Sequence, residues 1–415
     1  MNKPCITGIG VLSSIGRDFD SLAESLRSSR CGTDEISAFD ASAVPGRLGS
    51  EVRPFDPLEH FDRRSLRRMD RSSQMGVVAA RQAMRMAALG RGDFAPLRVG
   101  VVMGTTVGGI VNGYRYYERQ ARTGHAFASL LCDYMLYSAG ARIVGEFGLK
   151  GPNIAFSTAC SSSNVALGHA ADLVRHGRLD IVLAGGVDTM TRTTVAGFNA
   201  LRNVTREAMR PFDKDRTGLV LGEGSAVFVI ESEQSARRRG VRPMAEVAGH
   251  GMSTDAYHMT APDASGRGPA LAMTRALRHA GLTVDEIDYI NAHGTGTRHN
   301  DEVETRAIRK VFGPRADAIP VSSTKSMHGH VLGATGAVEA ASIVAAMRGD
   351  FVPPTINHRV SDPRCDLDVV PNQARAHRIR AALSNNFGFG GNNCALVLRS
   401  MFPHAATPPE EALSA

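Results

Sequence analysis

The stretch NIAFSTACSSSNVALGHAADLVRHG (Asn153 to Gly177) holds an apolar run, a lone cysteine at Cys160, three serines, and small and apolar residues at helical spacing. A short apolar run that ends in a Ser/Thr-rich turn and leads into helix-period text reads as a buried strand feeding a helix. Cys160 then stands at the first turn of that helix. The helix dipole and the free backbone N–H groups there favour a thiolate, and the same N–H groups can hold an oxyanion. Taken alone, a cysteine in such a run is more often a small core residue than a nucleophile.

The same grammar recurs along the chain. RVGVVMGTTVGG (98–109), DIVLAGGVDT (180–189), IDYINAHGTGT (287–297) and IPVSSTKSMHGH (319–330) each join an apolar run to a polar or glycine-rich end. Such runs predict buried strands with loops at their C-terminal ends, in a layered α/β architecture. A weak repeat is also visible: IAFSTAC leading into SSSNVALGHAADLVRHG resembles IPVSSTKS leading into MHGHVLGATGAVEAASIVAAMRG. Helices built from Ala, Gly and Ser let backbones approach closely, so these two are expected to meet at the centre of a pseudo-symmetric molecule. The halves are expected at 1–250 and 251–402, parted near the charged SEQSARRRGVRP (232–243). The stretch 403–415, with adjacent prolines and no period, is expected to be a disordered tail.

The 415 residues are 43% hydrophobic and 21% charged, with 43 glycines and no tryptophan, which excludes disordered, fibrous and coiled-coil classes. No stretch approaches the ~18 apolar residues of a membrane helix, and the opening residues lack a signal-peptide core, so a cytoplasmic protein without membrane insertion is expected. Six cysteines without paired spacing suggest neither a disulfide framework nor a zinc knuckle. The net charge of +7 favours an acidic partner. Its densest run is RRSLRRMDR (63–71), where Arg63, Arg64, Arg67, Arg68 and Arg71 recur at spacings that share one side of a helix. No aromatic residues interleave with them, so nucleic-acid stacking is unsupported. A solvated helix face is the plainer reading.

Further motifs carry chemistry. His293 follows a predicted strand and precedes a turn in which Thr295 and Thr297 offer hydroxyls. Lys325, His328 and His330 sit at another strand end. A single loop histidine is usually structural, yet two histidines and a lysine at equivalent strand ends converge where ligands bind in α/β layers. A Cys/His/His zinc site competes, but catalytic zinc sets usually show a local ligand pair, and His328 and His330 lie two apart, pointing oppositely in extended chain. NNFGFGGNN (385–393) is either a tight hairpin with two core aromatics or a loop whose backbone N–H meets a reacting oxygen while a phenyl ring gates an apolar tunnel. GIGVLSSIG (8–16) fails as a dinucleotide fingerprint, since Ser13 stands where the third glycine is needed.

Together STACSSS, NAHGTGT, STKSMHGHVLGATGAVEA, NNFGFGGNN and RPFDKDRTGLVLGEGSAVFVIE (210–231) resemble the β-ketoacyl-acyl carrier protein synthases, from about Ile6 to Arg399. The resemblance implies a thiolase-like α/β fold: two pseudo-symmetric βαβαβαββ halves in five α-β-α-β-α layers, forming a dimer. It implies Cys160 as nucleophile, His293 and His330 as catalytic pair, and Lys325 with Glu304 as a supporting ion pair. The N–H groups of Cys160 and Phe389 would form the oxyanion hole, with Thr295 and Thr297 as pantetheine contacts and Phe389 as gate. Val107, Phe198 and Phe387 would bound the substrate site. Arg63, Arg64, Arg67 and Arg68 resemble the basic surface that docks acidic acyl carrier protein. No cofactor or metal is implied beyond the carrier's phosphopantetheine.

The implied reaction is a decarboxylative condensation that extends an acyl chain on Cys160 by two carbons from malonyl-carrier, in a type II polyketide, polyene or fatty acid pathway. Thioester exchange suits a cysteine sulfur. Loss of CO₂ leaves an enolate whose charge needs N–H donors rather than a strong base. Ser161, Ser162 and Ser163 resemble polyketide ketosynthases, whereas the GFGG loop resembles the fatty acid type. His328 stands where a smaller or apolar residue is usual, as either a supporting group or a surface residue. The rivals are a housekeeping elongation synthase, a ketosynthase that works only with a chain-length-factor-like partner, a thiolase, and an inactive partner subunit. A thiolase needs a second cysteine in the glycine-rich loop, but Cys394 follows that loop in an apolar run. An inactive subunit would lack the nucleophile.

Overall fold

The computed structural model describes residues 2–90 and 92–403; apart from Pro403, the expected tail lies outside them. Ten strands form the main sheet: β1 (Pro4–Leu12), β2 (Val99–Gly104), β3 (Asn153–Phe156), β4 (Ile181–Asp188), β5 (Gly224–Ser232), β6 (Ala245–Thr254), β7 (Tyr289–Asn291), β8 (Val321–Ser322), β9 (Ala381–Gly388) and β10 (Asn392–Ser400). Eight helices matter to the site: α1 (Arg71–Met86), α2 (Ile110–Thr123), α3 (Ser138–Phe147), α4 (Ser162–Arg175), α5 (Arg267–Ala280), α6 (Arg298–Phe312), α7 (Lys325–His328) and α8 (Thr335–Gly349).

Spatial order across the sheet is β8-β7-β9-β10-β6-β1-β5-β4-β2-β3. Adding five to each label of β1-β5-β4-β2-β3 gives β6-β10-β9-β7-β8, and the pairing senses agree. In each half two pairs are antiparallel and two parallel. With their helices, both halves run βαβαβαββ. Among the described residues, the strands of the two halves pair only where Cys5 and Ile6 of β1 meet Glu246 and Ala245 of β6, antiparallel.

The layers follow from what each face must bury. β4 is buried at all eight positions, IVLAGGVD, as expected of a strand covered on both faces. Outside it, α1 and α3 join an apolar cluster with Val101, Leu183 and Val229. Outside the second half, α5 and α6 supply Met273, Ala276 and Ile308 to another. Between the two halves of the sheet lies the largest cluster, where α4 and α8 contribute Ala166, Ala170, Ala337 and Ala341. The result is the expected five-layer thiolase-like fold, with the two small-residue helices in contact at its centre.

Two expectations change. The bound at 250/251 falls inside β6, which pairs along its length with β10; the link between β5 and β6 runs through the charged segment 232–243. Glycines within AEVAGHGMST obscure that strand in the sequence. The arginine run is also not one helix. Arg63–Leu66 is a single turn capped by Asp62, and a second helix starts at Arg71, where Asp70 accepts the N–H of Ser72. Arg71 is thereby drawn inward to Glu223, at 2.6 Å.

At the centre the packing leaves no slack. The Ala337 N–H donates to Ser163 Oγ at 2.9 Å. A Cβ on Gly336 would stand 2.3 Å from Asn386 Oδ1 and 2.5 Å from Asn164 Oδ1. Both oxygens belong to fully buried side chains. Gly336→Ala is therefore expected to lower stability by about 1–3 kcal/mol through overpacking. Thermal melts of the variant against the wild type check this, and an unchanged midpoint would contradict the packing described.

Candidate active site

Cys160 lies between β3 and α4, in a turn where Ala159 adopts a φ of 52°, a left-handed conformation uncommon for a residue with a side chain. Hydroxyls hold that turn. Ser162 Oγ donates to the Ala159 carbonyl at 2.6 Å and accepts the Thr158 N–H at 2.9 Å. Ser161 Oγ donates to the Thr158 carbonyl at 2.8 Å. The three serines after the cysteine are thus structural: two fix the nucleophile's turn, and Ser163 ties α4 to α8.

The backbone N–H groups of Phe389 and of Cys160 itself both favour ionisation of the Cys160 sulfur. The β9 end comes this close because residue 388 is glycine: a Cβ there would lie 3.1 Å from the Cys160 nitrogen. These are the two donors expected of an oxyanion hole. The thiol is nevertheless pushed up to about 11, first by burial, with Lys325 and the two N–H groups acting in the opposite sense. That corrects the expectation of a thiolate favoured by the helix start, because desolvation outweighs the nearby dipoles.

His293 follows β7. Its N–H and that of Gly294 donate to Glu304 of α6 at 2.8 and 2.7 Å, and its ring makes no hydrogen bond to the described chain. His330 follows α7, and its Nδ1 accepts the Leu332 N–H at 3.0 Å. A neutral His330 ring therefore carries its proton on Nε2, as a donor. Zinc coordination through that nitrogen would require the proton on Nδ1, against the Leu332 N–H, so the local structure opposes the zinc reading. The two rings stand edge to face with centroids 5.6 Å apart. One donor atom from each of Cys160, His293 and His330 fits within 4.8 Å of the others. Distant segments thus deliver all three to one place.

Burial is the main force on both imidazoles and Lys325 the next. His293 is held well below its ordinary range and His330 near 3. Both are neutral at physiological pH. The expected Lys325–Glu304 ion pair is not the one that forms. Lys325 Nζ bonds Glu339 of α8 at 2.5 Å, with both side chains fully buried, and Asn386 donates to the other Glu339 oxygen at 2.7 Å. Glu304 instead receives the backbone around His293, and burial lifts it to about 7. Glu339 lay unremarked in GAVEAAS, where a lone acid within a small-residue helix was the available signal.

The cavity beside these groups has a volume of about 360 Å³ and is bordered by Cys160, His293, His330, Thr295, Thr297 and Phe387. Thr295 and Thr297 share a hydroxyl contact of 2.8 Å. Phe198 stacks on Phe389 with centroids 5.4 Å apart, and both rings border the same cavity. Val107 does not border it; like Phe198, it packs against an apolar cluster that includes Met190, Val195 and Leu332. Arg63, Arg64, Arg67 and Arg68 are exposed and form no ion pair within 4 Å among the described residues, away from the cavity. Cys394 is buried in β10 and does not border the cavity.

Two buried groups complete the surroundings. Asp188, at the end of β4, accepts from Thr105 Oγ1 and from the N–H groups of Thr106, Val107 and Gly333. It thereby ties the loop after β2 to the segment after His330. Its place at a strand end in DIVLAGGVDT was its only signal. His328 is fully buried, not a surface residue. Its Nδ1 lies 2.8 Å from the Gly329 carbonyl and its Nε2 3.0 Å from Thr324 Oγ1. The carbonyl fixes a proton on Nδ1, and burial, with Lys325 next, holds the ring near 3 and so neutral; it supports the peptide before His330.

Comparison with known proteins gives a consistent result. The family described as Beta-ketoacyl synthase, N-terminal domain, matches residues 2–236, and Beta-ketoacyl synthase, C-terminal domain, matches residues 244–359. The chain is 41% identical to 3-oxoacyl-(acyl-carrier-protein) synthase 2 of Coxiella burnetii, over 96% of this chain and 98% of the relative. It is 42% identical to the tetracenomycin polyketide synthase ketoacyl synthase alpha subunit of Streptomyces glaucescens, over 95% and 96%. The solved structure described as the ishigamide ketosynthase/chain length factor superposes with a TM-score of 0.92 at 36% identity, covering 96% of this chain and 99% of that one.

A thiol near 11 has a measurable signature. Alkylation of Cys160 by iodoacetamide is expected to rise about tenfold per pH unit from 7 to 10, since only thiolate reacts. Mass spectrometry of the Cys160 peptide, which separates it from exposed Cys31 and Cys132, checks this; a plateau below pH 8 would contradict it.

Proposed function

The chain belongs to the β-ketoacyl synthase family, and on that premise we propose that it condenses an acyl group held on Cys160 with a malonyl group held on acyl carrier protein. The observation that carries this reading is the convergence of Cys160, His293 and His330 at one buried cavity. A neutral thiol gives up its proton as it attacks the incoming thioester. The carbonyl oxygen turns toward the N–H groups of Cys160 and Phe389, which neutralise the tetrahedral intermediate. The carrier's thiol leaves and the acyl group stays on Cys160.

Malonyl-carrier then enters, its pantetheine arm passing Thr295 and Thr297. Loss of CO₂ places negative charge on the thioester oxygen. The neutral imidazoles of His293 and His330 donate to that oxygen, and His330 is supplied with the Nε2 proton by its Leu332 contact. Being neutral beforehand, they need shed no proton to solvent, and the dry cavity strengthens each bond. The enolate carbon attacks the acyl-cysteine carbonyl, the C–S bond breaks, and the oxyanion again falls on the two backbone N–H groups. No cofactor beyond phosphopantetheine enters these steps.

The exposed arginines 63, 64, 67 and 68 suit an acidic carrier protein. The dimer face is proposed at the open edge strand β3 and the neighbouring apolar surface, where Tyr117, Phe127, Tyr134, Met135 and Tyr137 are exposed. A second copy or a chain-length-factor-like subunit would cover it. The serine triplet and the 42% identity to the tetracenomycin polyketide synthase ketoacyl synthase alpha subunit favour a specialised polyketide or polyene pathway over housekeeping elongation.

Intact-protein mass spectrometry after mixing with acyl carrier proteins loaded with saturated or polyene chains tests the reading. An acyl adduct is expected on Cys160, absent from Cys160→Ala. His330→Ala is expected to keep the adduct yet release CO₂ from malonyl-carrier about 10²–10³-fold more slowly. An adduct on Cys160→Ala, or unimpaired decarboxylation by His330→Ala, would overturn it.

A further inference from the structure

Outside the catalytic cavity, three titratable side chains from separate elements converge on the far part of α4. Asp172 of α4, His250 of β6 and His279 of α5 each bring a donor atom within 4.8 Å of the others. None of the three borders the cavity at Cys160. His250 Nε2 lies 2.9 Å from Asp172 Oδ2, and His279 Nε2 lies 3.6 Å from Asp172 Oδ1. Ligands at ~2.0–2.2 Å from a tetrahedral zinc ion stand about 3.3 Å apart, a spacing these two separations bracket.

The protons are arranged to suit a cation. An Arg175 guanidinium N–H reaches His279 Nε2 at 3.2 Å, which is possible only if Nε2 presents a lone pair. His279 Nδ1 lies 3.2 Å from the His250 carbonyl oxygen and 3.3 Å from the His250 N–H; with Nε2 accepting from Arg175, the ring proton is on Nδ1 and faces the carbonyl, and the His250 N–H contact is then not a hydrogen bond. A metal-ligating histidine generally donates its other ring N–H to such a carbonyl or to a carboxylate. His250 Nδ1 is buried without a partner. Moving the His250 proton from Nε2 to Nδ1 therefore breaks no bond at the Nδ1 end.

Arg175 is the element that has to yield. Its Nη2 donates to the Val247 and Ala248 carbonyls, both at 3.0 Å, and its Nη1 to Asp172. Nη1 stands between Asp172 Oδ1 and His279 Nε2, so a cation there has to displace it from both, leaving Arg175 anchored through Nη2. His279 remains about one-third exposed, which gives an ion a way in.

We propose that Asp172, His250 and His279 form a binding site for a divalent transition-metal cation of the zinc type, with water completing the shell. Two imidazoles and one carboxylate are a ligand set of that class. The ion would join the central layer to the outer layer of the second half, so its effect would be on stability rather than chemistry.

Because donor atoms of Cys160, His293 and His330 also lie within 4.8 Å of one another, the test removes that trio: it uses the full chain carrying Cys160→Ala, stripped with EDTA, with cobalt(II) and zinc(II) as probes. One cobalt per chain is expected, with visible d–d bands and no sulfur-to-cobalt charge-transfer band, together with a zinc-dependent rise in melting temperature. His250→Gln and His279→Gln should each weaken cobalt binding at least about tenfold. His279 is the cleaner site because its partial exposure lets the fold tolerate the change. No saturable cobalt binding to the Cys160→Ala chain, or binding unaffected by His279→Gln, would overturn the proposal.

Discussion

The Lys325 ammonium, fully buried and paired with Glu339 at 2.5 Å, is the charge around which the centre of this molecule is arranged. A buried cation is tolerable only beside a buried anion with further hydrogen bonds, and Asn386 supplies one to the same carboxylate. That requirement pins three segments together: α7 through Lys325, α8 through Glu339 and β9 through Asn386. The same positive charge adds to desolvation in keeping His293, His328 and His330 neutral. On Cys160 it opposes desolvation. One side chain thus biases the protonation of the sulfur and both imidazoles.

Duplication explains how so few residues reach one point. The βαβαβαββ unit places a loop-bearing strand end in each half, and antiparallel contact between β1 and β6 brings the two units together about a pseudo-two-fold. The central helices α4 and α8 can then touch only where side chains are nearly absent, at Gly336, and where a serine hydroxyl replaces bulk, at Ser163. Cys160 at the start of α4 and His330 shortly before α8 inherit their proximity from that contact.

Much of this was legible in the sequence. Runs of Val and Ile ending in Gly or Ser/Thr marked the buried strands, and the repeat between IAFSTAC and IPVSSTKS marked the two central helices. Cys160, His293 and His330 stood out because each ends such a run. What stayed hidden depends on distance rather than pattern. Nothing local says that Lys325 reaches Glu339, fourteen residues on, instead of Glu304. The arginine run reads as one helix until Asp70 caps a new one. Burial of His328 is invisible beside a glycine, and the rise of the Cys160 thiol follows from how deeply it is enclosed, which no spacing encodes.

The ring of Phe389 stacks on Phe198, and its backbone N–H favours ionisation of the Cys160 sulfur. A displacement of this residue that parted the two rings would carry that N–H off as well. Loosening the ring contact and weakening the donor beside the sulfur would thus be one movement of the backbone, not two.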